Sequence, residues 1–477
     1  MTSTLRSYRR LGVPTPTKRH VGLVLGTAVF LLPFFVEFEG LSEAGHRALS
    51  VFLLAIVLWV TEAIPLYATA ALIIFLEILL ISDQALVALP ADFEALPYTE
   101  FYATLANPVL MLFLGGFFLA DGAAKYKLDR SMASVLLRPF GVSPRYILLG
   151  LMLITAAFSM FMSNTATTAT LMAVVLPVIA GLEVDDKLRI ALALSIPIAA
   201  NIGGIGTPVG TPPNAIALGS LGDAGVAITF VEWMVMAVPM MVVLLLFSWW
   251  LLTRLFPAKA DAVELNLKAD FDRSRNARIF YVTFAVTVLL WLTEPIHGIK
   301  STIVGFLPVV VLLATRVFSS KELRSVQWHI LWLVAGGIAL GLGVASSGLD
   351  VWLVELVSWD RVPAWLVAGL LALTALVMST VISNSAAANL LIPIGLTLAL
   401  SGAVSLDPIQ VGFFIAVGAS LAMALPISTP PNAIAYATGS VQTSDMARAG
   451  VVLGLVGLVL FVVVAPLLWS VVGVAGA

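Results

Sequence analysis

Phe161 to Leu176 reads FMSNTATTATLMAVVL, and Val381 to Leu396, 220 residues further on, reads VISNSAAANLLIPIGL. Each copy sets a polar triplet, Ser163-Asn164-Thr165 or Ser383-Asn384-Ser385, into a run that is otherwise apolar. Lipid offers no partner to hydroxyls, amides or broken backbone, so each triplet must face protein, water or a bound solute. We expect the two triplets to face each other and to hold an anion.

Composition sets the class around them. The chain has 477 residues, 60% of them hydrophobic and 11% charged, with mean hydropathy +1.05. No soluble core hides that much apolar surface, so the chain is expected to be an all-α polytopic membrane protein. A net charge of −2 gives no footing for nucleic acid, and the lack of cysteine excludes disulfides, thiolate metal sites and a cysteine nucleophile. The first apolar run, Val21 to Val36, follows a basic arm and has no Ala-x-Ala-like site after it, so it reads as a retained helix.

A crossing needs about 20 apolar residues. On that ruler eleven crossings fall near 21–36, 46–65, 66–82, 105–123, 190–219, 230–254, 279–294, 299–317, 326–345, 410–438 and 450–472. The runs 147–181 and 364–401 do not fit this scheme. A straight helix of that length would reach about 52 Å, against a hydrocarbon core of about 30 Å. Each is expected to be a re-entrant hairpin of two half-depth helices, its turn buried in protein or lining a wet cavity.

Lysine and arginine test the layout independently, since cytoplasmic loops carry the excess. With the N-terminus inside, 22 of the 25 lie in inner segments, and only Arg47, Lys300 and Arg361 fall outside. The C-terminus is then outside, and the hairpins enter from opposite sides of the cell (inner) membrane. The resulting division is 1–45 for an arm and first helix, 46–254 for a first repeat, 255–278 for a solvated cytoplasmic linker and 279–477 for a second repeat.

Four landmarks recur in the same order. Thr61-Glu62 answers Thr293-Glu294, Gly115-Gly116 answers Gly336-Gly337, and the first triplet answers the second. TPPNAIA at 211–217 recurs letter for letter at 429–435. The Gly115 and Gly336 helices would run in opposite directions, which makes the repeat inverted. Inverted repeats with interrupted helices mark secondary transporters, whose site lies near the midplane. The interruptions are GTPVGTPPN from Gly206 to Asn214 and PISTPPN from Pro426 to Asn432. The three prolines and two glycines of the first cannot stay helical, because proline removes a backbone donor and clashes with the preceding turn, yet proline suits the first turn of a new helix, as Pro213 and Pro431 would. A half-helix start favours an anion, and the carbonyls released beside it suit a small hard cation.

No Lys or Arg lies between Tyr146 and Val184, between Ala191 and Leu252, or between Val362 and Ala447. A bound dianion would therefore meet no fixed cation, and co-bound cations would have to supply the positive charge.

The paired triplets, paired Thr-Pro-Pro-Asn breaks, two hairpins and eleven crossings resemble the divalent anion:sodium symporter family, the bacterial INDY-type carboxylate transporters, over nearly the whole chain. The resemblance implies a homodimer in the bilayer with a fixed scaffold and a transport domain that moves as an elevator. It implies sodium-driven symport of C4-dicarboxylates of the succinate, malate and fumarate class, with sodium as coupling ion and no other cofactor. Carried over by motif, one sodium site uses Ser159, Ser163, Asn164 and the Gly210 carbonyl. The other uses Ser379, the Ile382 carbonyl, Asn384 and the Ser428 carbonyl. The substrate carboxylates would lie between Ser163, Asn164, Thr165 and Ser383, Asn384, Ser385, closed by Thr211 and Thr429. Ser385 departs from the family's commoner Thr, which bears on which anion is preferred.

Plainer readings compete for the other residues. One Ser-Asn-Thr alone would be an interhelical hydrogen bond; its duplication beside duplicated breaks argues for a site. Asp121, Glu62, Glu77 and Glu294 are acids in or near crossings, and Glu62 and Glu294, beside Pro65 and Pro295, read as capping or interface residues rather than a proton relay. His20, His46, His297 and His329 show no ligand spacing. Trp249, Trp250, Trp328, Trp332, Trp352 and Trp359 read as interfacial anchors, and the Gly-Gly pairs as close-packing points. A membrane enzyme would need a nucleophile or acid/base set that the triplets lack. An anion channel, a sodium-independent exchanger, and a citrate or sulfate transporter on the same fold are the alternatives.

Overall fold

The computed structural model describes residues 16–263, 270–356, 362–402 and 404–472. Arg6, Arg9, Arg10, Lys268, Trp359 and Arg361 lie outside the described residues. Regular structure among the described residues is helical, apart from one isolated bridge between Ser82 and Leu96. Nine helices there are long and apolar enough to cross a membrane, with six shorter apolar ones beside them.

The first half runs α1 (Pro16–Phe35), α2 (Glu43–Thr61), α3 (Leu66–Ile81), α4 (Tyr98–Ala103), α5 (Pro108–Lys125) and α6 (Leu128–Leu136). It continues with α7 (Pro144–Ser159), α8 (Asn164–Gly181), α9 (Leu188–Ile205), α10 (Pro212–Asp223) and α11 (Phe230–Leu255). The second half runs α12 (Arg275–Leu292), α13 (Glu294–His297), α14 (Ser301–Ala314), α15 (Ser320–Ser325), α16 (Trp328–Ser346) and α17 (Leu349–Glu355). Then follow α18 (Ala364–Val381), α19 (Asn384–Leu400), α20 (Pro408–Ser420), α21 (Pro430–Ala437), α22 (Thr443–Val459), a π turn at Leu460–Val464 and α23 (Ala465–Val472). Each predicted crossing coincides with a helix or, at both Thr-Pro-Pro-Asn sites, with a helix pair.

Local chemistry starts and stops these helices. Ser42, Ser163, Ser274, Ser383 and Asp407 accept from first-turn N–H groups, and Thr229 with Glu232 forms a capping box. Prolines open α5, α7, α10, α20 and α21. The hairpin arms α7, α8, α18 and α19 have 16, 18, 18 and 17 residues. At about 1.5 Å per residue these are longer than half-depth helices, and they stop near the midplane only when steeply tilted. Short helices α4, α6, α13, α15 and α17 lie between or at the edges of the predicted crossings, and with at most nine residues none is long enough to cross.

Packing is reciprocal between the halves. α5 of the first half packs on α14 of the second, and α16 of the second packs on α3 of the first. Within the halves, α9 packs on α7 and α8 as α20 packs on α18 and α19. The Gly-Gly pairs are close-packing points, as expected. A Cβ on Gly115 would lie 1.6 Å from the Gly305 carbonyl oxygen, and one on Gly336 would lie 2.3 Å from Ala70 Cβ. Glu294 is a cap: its two oxygens accept from the backbone N–H of Phe230 and of Ser301, each at 3.1 Å. Glu62 is exposed at the left-handed end of α2, Asp121 is half-buried on α5, and Glu77 is buried on α3.

The segment after α11 is mostly exposed where it is described, and it is hydrogen-bonded to the bundle. Its Lys259 and Ala260 N–H groups donate to the Asp186 carboxylate at 3.1 and 3.0 Å, and Val263 N–H donates to the Val142 carbonyl at 2.8 Å. Ser131 Oγ donates to the Asp270 carbonyl at 3.0 Å. The linker is thereby stitched to α6, to the start of the first hairpin and to the approach to α9.

Candidate functional site

The first tip is the turn from Met160 to Ser163 between α7 and α8. Ser163 Oγ accepts from Ala166 N–H at 3.3 Å, which starts α8 and leaves the hydroxyl proton available. Ser159 is fully buried, and its Oγ lies 2.6 Å from the Asn164 side-chain oxygen. The same end of Asn164 lies 3.1 Å from the Gly210 carbonyl oxygen and 3.2 Å from that of Ala200. Turned one way, the amide nitrogen donates to these oxygens. Turned the other, four oxygens converge with one hydroxyl proton among them, a donor set suited to a hard cation. The Thr207 hydroxyl donates to the Met160 carbonyl and ties the first break to the tip.

The second tip repeats this. Ser383 Oγ accepts from Ala386 N–H at 3.2 Å. Ser379, fully buried, has its Oγ 2.6 Å from both Asn384 Oδ1 and the Ala419 carbonyl oxygen. One hydroxyl owns one proton, so it cannot satisfy both. Ser428 Oγ donates to the Thr380 carbonyl at 3.0 Å, fastening the second break to the second hairpin. Ile382 is buried at the extended end of α18.

The Asn of each TPPN holds its break together. Asn214 Nδ2 lies 3.1, 3.3 and 2.8 Å from the carbonyl oxygens of Gly204, Ile205 and Thr207. Asn432 Nδ2 donates to those of Met423 and Leu425 at 2.9 and 3.0 Å. Both amides are buried, so they replace partners that the interrupted helices lost. The signal is in the repeated motif, whose prolines and threonines carry the sequence reading while its asparagines do not. Asn201 was missed altogether. From α9 its Nδ2 lies 3.2 Å from both Thr429 Oγ1 and Asn432 Oδ1, joining the two halves at the second break.

The restarted helices make poorer anion sites than their dipoles suggest. Pro212 and Pro213 open α10, and Pro430 and Pro431 open α21, so the first two N–H groups of each do not exist. The next ones are used: Asn214 N–H donates to the Thr211 carbonyl at 3.1 Å, and Asn432 N–H to Thr429 Oγ1 at 3.3 Å. The starts of α8 and α19 carry no proline, so beyond the N–H groups capped by Ser163 and Ser383 they keep those of Asn164 and Thr165 and of Asn384 and Ser385.

Thr211 and Thr429 are buried, Ser163, Asn164, Ser383, Asn384 and Ser385 are half-buried, and Thr165 is exposed. The second arm of each hairpin packs on the restarted helix of the other half, α8 on α21 and α19 on α10. No three His, Cys, Asp or Glu side chains gather as a metal site among the described residues. His46 accepts from Phe38 N–H at 3.0 Å, and His297 accepts from Ile299 N–H at 3.0 Å.

Two hairpins and two broken helices interlaced in this way define a multi-pass membrane transporter. The family model described as the sodium:sulfate symporter transmembrane region matches residues 17–475, and the chain belongs to that family. It is 31% identical to a sodium-dependent dicarboxylate transporter SdcS of Staphylococcus saprophyticus, over 93% of this chain and 90% of that protein. It is also 31% identical to an uncharacterized transporter of Haemophilus influenzae, over 92% of this chain and 95% of that one. In fold it is similar to the crystal structure of the Alcanivorax borkumensis YdaH transporter, with TM-score 0.55 and 14% identity over 79% of this chain and 88% of the other.

Proposed function

We propose that the protein is a sodium-coupled symporter of C4-dicarboxylates that works by an elevator movement. The observation that carries this reading is the pair of polar clusters in which the Asn164 and Asn384 amides meet a serine hydroxyl and backbone carbonyl oxygens, Ser159/Asn164/Gly210/Ala200 and Ser379/Asn384/Ala419, in a region without a lysine or arginine. The staphylococcal relative, a sodium-dependent dicarboxylate transporter, supports both the ion and the substrate class.

In this reading each cluster takes one sodium ion. The hydroxyl protons of Ser163 and Ser383, with the first-turn N–H groups of α8 and α19, donate to the substrate carboxylates. Thr165 and Ser385 extend each donor row, and Thr211 and Thr429 back it. Burying an unpaired charge costs several kcal/mol or more. Sodium and the dianion thus each lower the cost of binding the other, which is coupling by reciprocity. The repeat from α2 to α11 contains an odd number of crossings, α2, α3, α5, the α9–α10 pair and α11, so the second copy is inverted, and the lysine and arginine excess puts the N-terminus on the cytoplasmic side. The hairpins and broken helices form the moving body, the other crossings form the scaffold, and two copies of the chain share the scaffold face.

Purified protein in liposomes tests this with labelled succinate. An inward sodium gradient should drive accumulation. Equal uptake without sodium, accelerated by internal succinate, would point to an exchanger, and non-saturable flux to a channel.

A further inference from the structure

At the end of the bundle where α7 and α9 begin and α11 stops, a cavity of about 310 Å³ is lined by Arg145, Leu148, Leu188, Trp250 and Arg254 among others. No acidic residue lines it, and neither arginine is in an ion pair among the described residues. Both guanidinium groups are exposed, and each is stacked on an indole. Arg145 Cζ lies 4.7 Å from the Trp249 ring centre, and Arg254 Cζ lies 5.9 Å from that of Trp250. Trp249 is fixed in turn, its Nε1–H donating to the Arg145 carbonyl at 2.9 Å. Stacking occupies the flat face of a guanidinium and leaves its N–H edge, which pairs bidentately with phosphate oxygens.

The rest of the lining argues for the source of that phosphate. Leu148, Leu188, Ala191 and Phe256 are apolar, which suits the glycerol and upper acyl chain of a lipid and offers nothing to a free anion. Trp250 is 44% exposed and Tyr146 is 54% exposed, as amphipathic rings at a headgroup boundary would be. This end also holds the lysine and arginine excess that marks the cytoplasmic side, where basic pockets between crossings hold anionic headgroups. A volume near 310 Å³ sits at the lower end of small-ligand clefts, roughly 300–1,000 Å³.

We propose that this cavity binds the phosphate of an anionic phospholipid, held by Arg145 and Arg254, and that the lipid links the foot of the first hairpin to the end of α11. The test uses the full-length protein, purified and delipidated in detergent. Native mass spectrometry and thermal unfolding are followed with phosphatidylglycerol, with phosphatidylethanolamine of the same acyl chains, and with inorganic phosphate. Phosphatidylglycerol should be retained and should raise the unfolding temperature, the other two not. Each of R145Q and R254Q should weaken retention roughly tenfold, as expected for loss of one charge-assisted pair, and K321Q, an exposed charge away from the cavity, should not. Equal stabilisation by phosphatidylethanolamine or by phosphate would overturn the proposal. So would an unchanged preference for phosphatidylglycerol in either arginine variant, and the single variants serve if the double one does not fold.

Discussion

Asn214→Ala removes the amide that spans the first break while leaving both prolines in place. An amide has two N–H groups, so of the three carbonyls within reach, at Gly204, Ile205 and Thr207, two are served at a time. Hydrogen bonds inside membrane proteins average about 0.6 kcal/mol, and buried ones elsewhere about 1–1.5 kcal/mol. The variant should therefore lose about 1–3 kcal/mol. Asn432→Ala should lose more, because it also strips the Asn201 amide of one acceptor. Asn214→Asp keeps the shape but aims a carboxylate at carbonyl oxygens, and should be worse than Ala. Thermal unfolding of the purified variants and initial succinate uptake in liposomes measure both effects. Wild-type unfolding temperature and uptake rate in Asn214→Ala would refute the claim that this amide holds the break.

Gly115→Ala should prevent assembly, since its Cβ would meet a backbone oxygen 1.6 Å away, whereas at Gly116 the nearest atom is Val209 Cβ at 3.4 Å and Ala should be tolerated; membrane yields of the two variants decide. Glu294→Ala leaves the N–H groups of Phe230 and Ser301 uncapped and should cost about 1–3 kcal/mol in thermal unfolding, with transport per folded molecule unchanged. Outside the crossings, the Lys125 ammonium, 2.6 Å away, and Ser319 hold Glu322 down from 4.5 to about 2. A lowered carboxyl contributes stability that is complete above its unfolded value and is lost as pH falls from about 4.5 towards 2. Unfolding scans should therefore show Glu322→Gln less stable than wild type at pH 7 and the gap closing below pH 4.5.

Much of the candidate site was legible because the chain states its motifs twice. Ser163-Asn164 and Ser383-Asn384 stand out as polar letters in apolar runs, and each serine caps the second arm of its hairpin. The length of the hairpin runs marked two helices, but arm lengths were not legible, because tilt is set by packing and not by residue count. Asn201 was invisible for a specific reason: its equivalent near Ser420 carries no amide, so the repeat does not mark it. Its partners lie more than 220 residues away, on a segment that only the fold brings near. The limit on the Thr-Pro-Pro-Asn helix starts was legible but unread, since two adjacent prolines announce two missing N–H groups. The linker's exposure fits its charges, but the bonds from its backbone to Asp186 and Val142 are ones that no composition pattern reveals.

The central claim is that transport is coupled through the paired oxygen clusters at the two tips. Its most direct test is initial succinate uptake as a function of sodium concentration in liposomes holding wild type, Asn164→Ala or Asn384→Ala at matched protein content. Wild type should show steep saturable activation by sodium, and each variant should lose it, retaining at most slow sodium-insensitive flux. Normal sodium-driven uptake in Asn384→Ala would contradict the account.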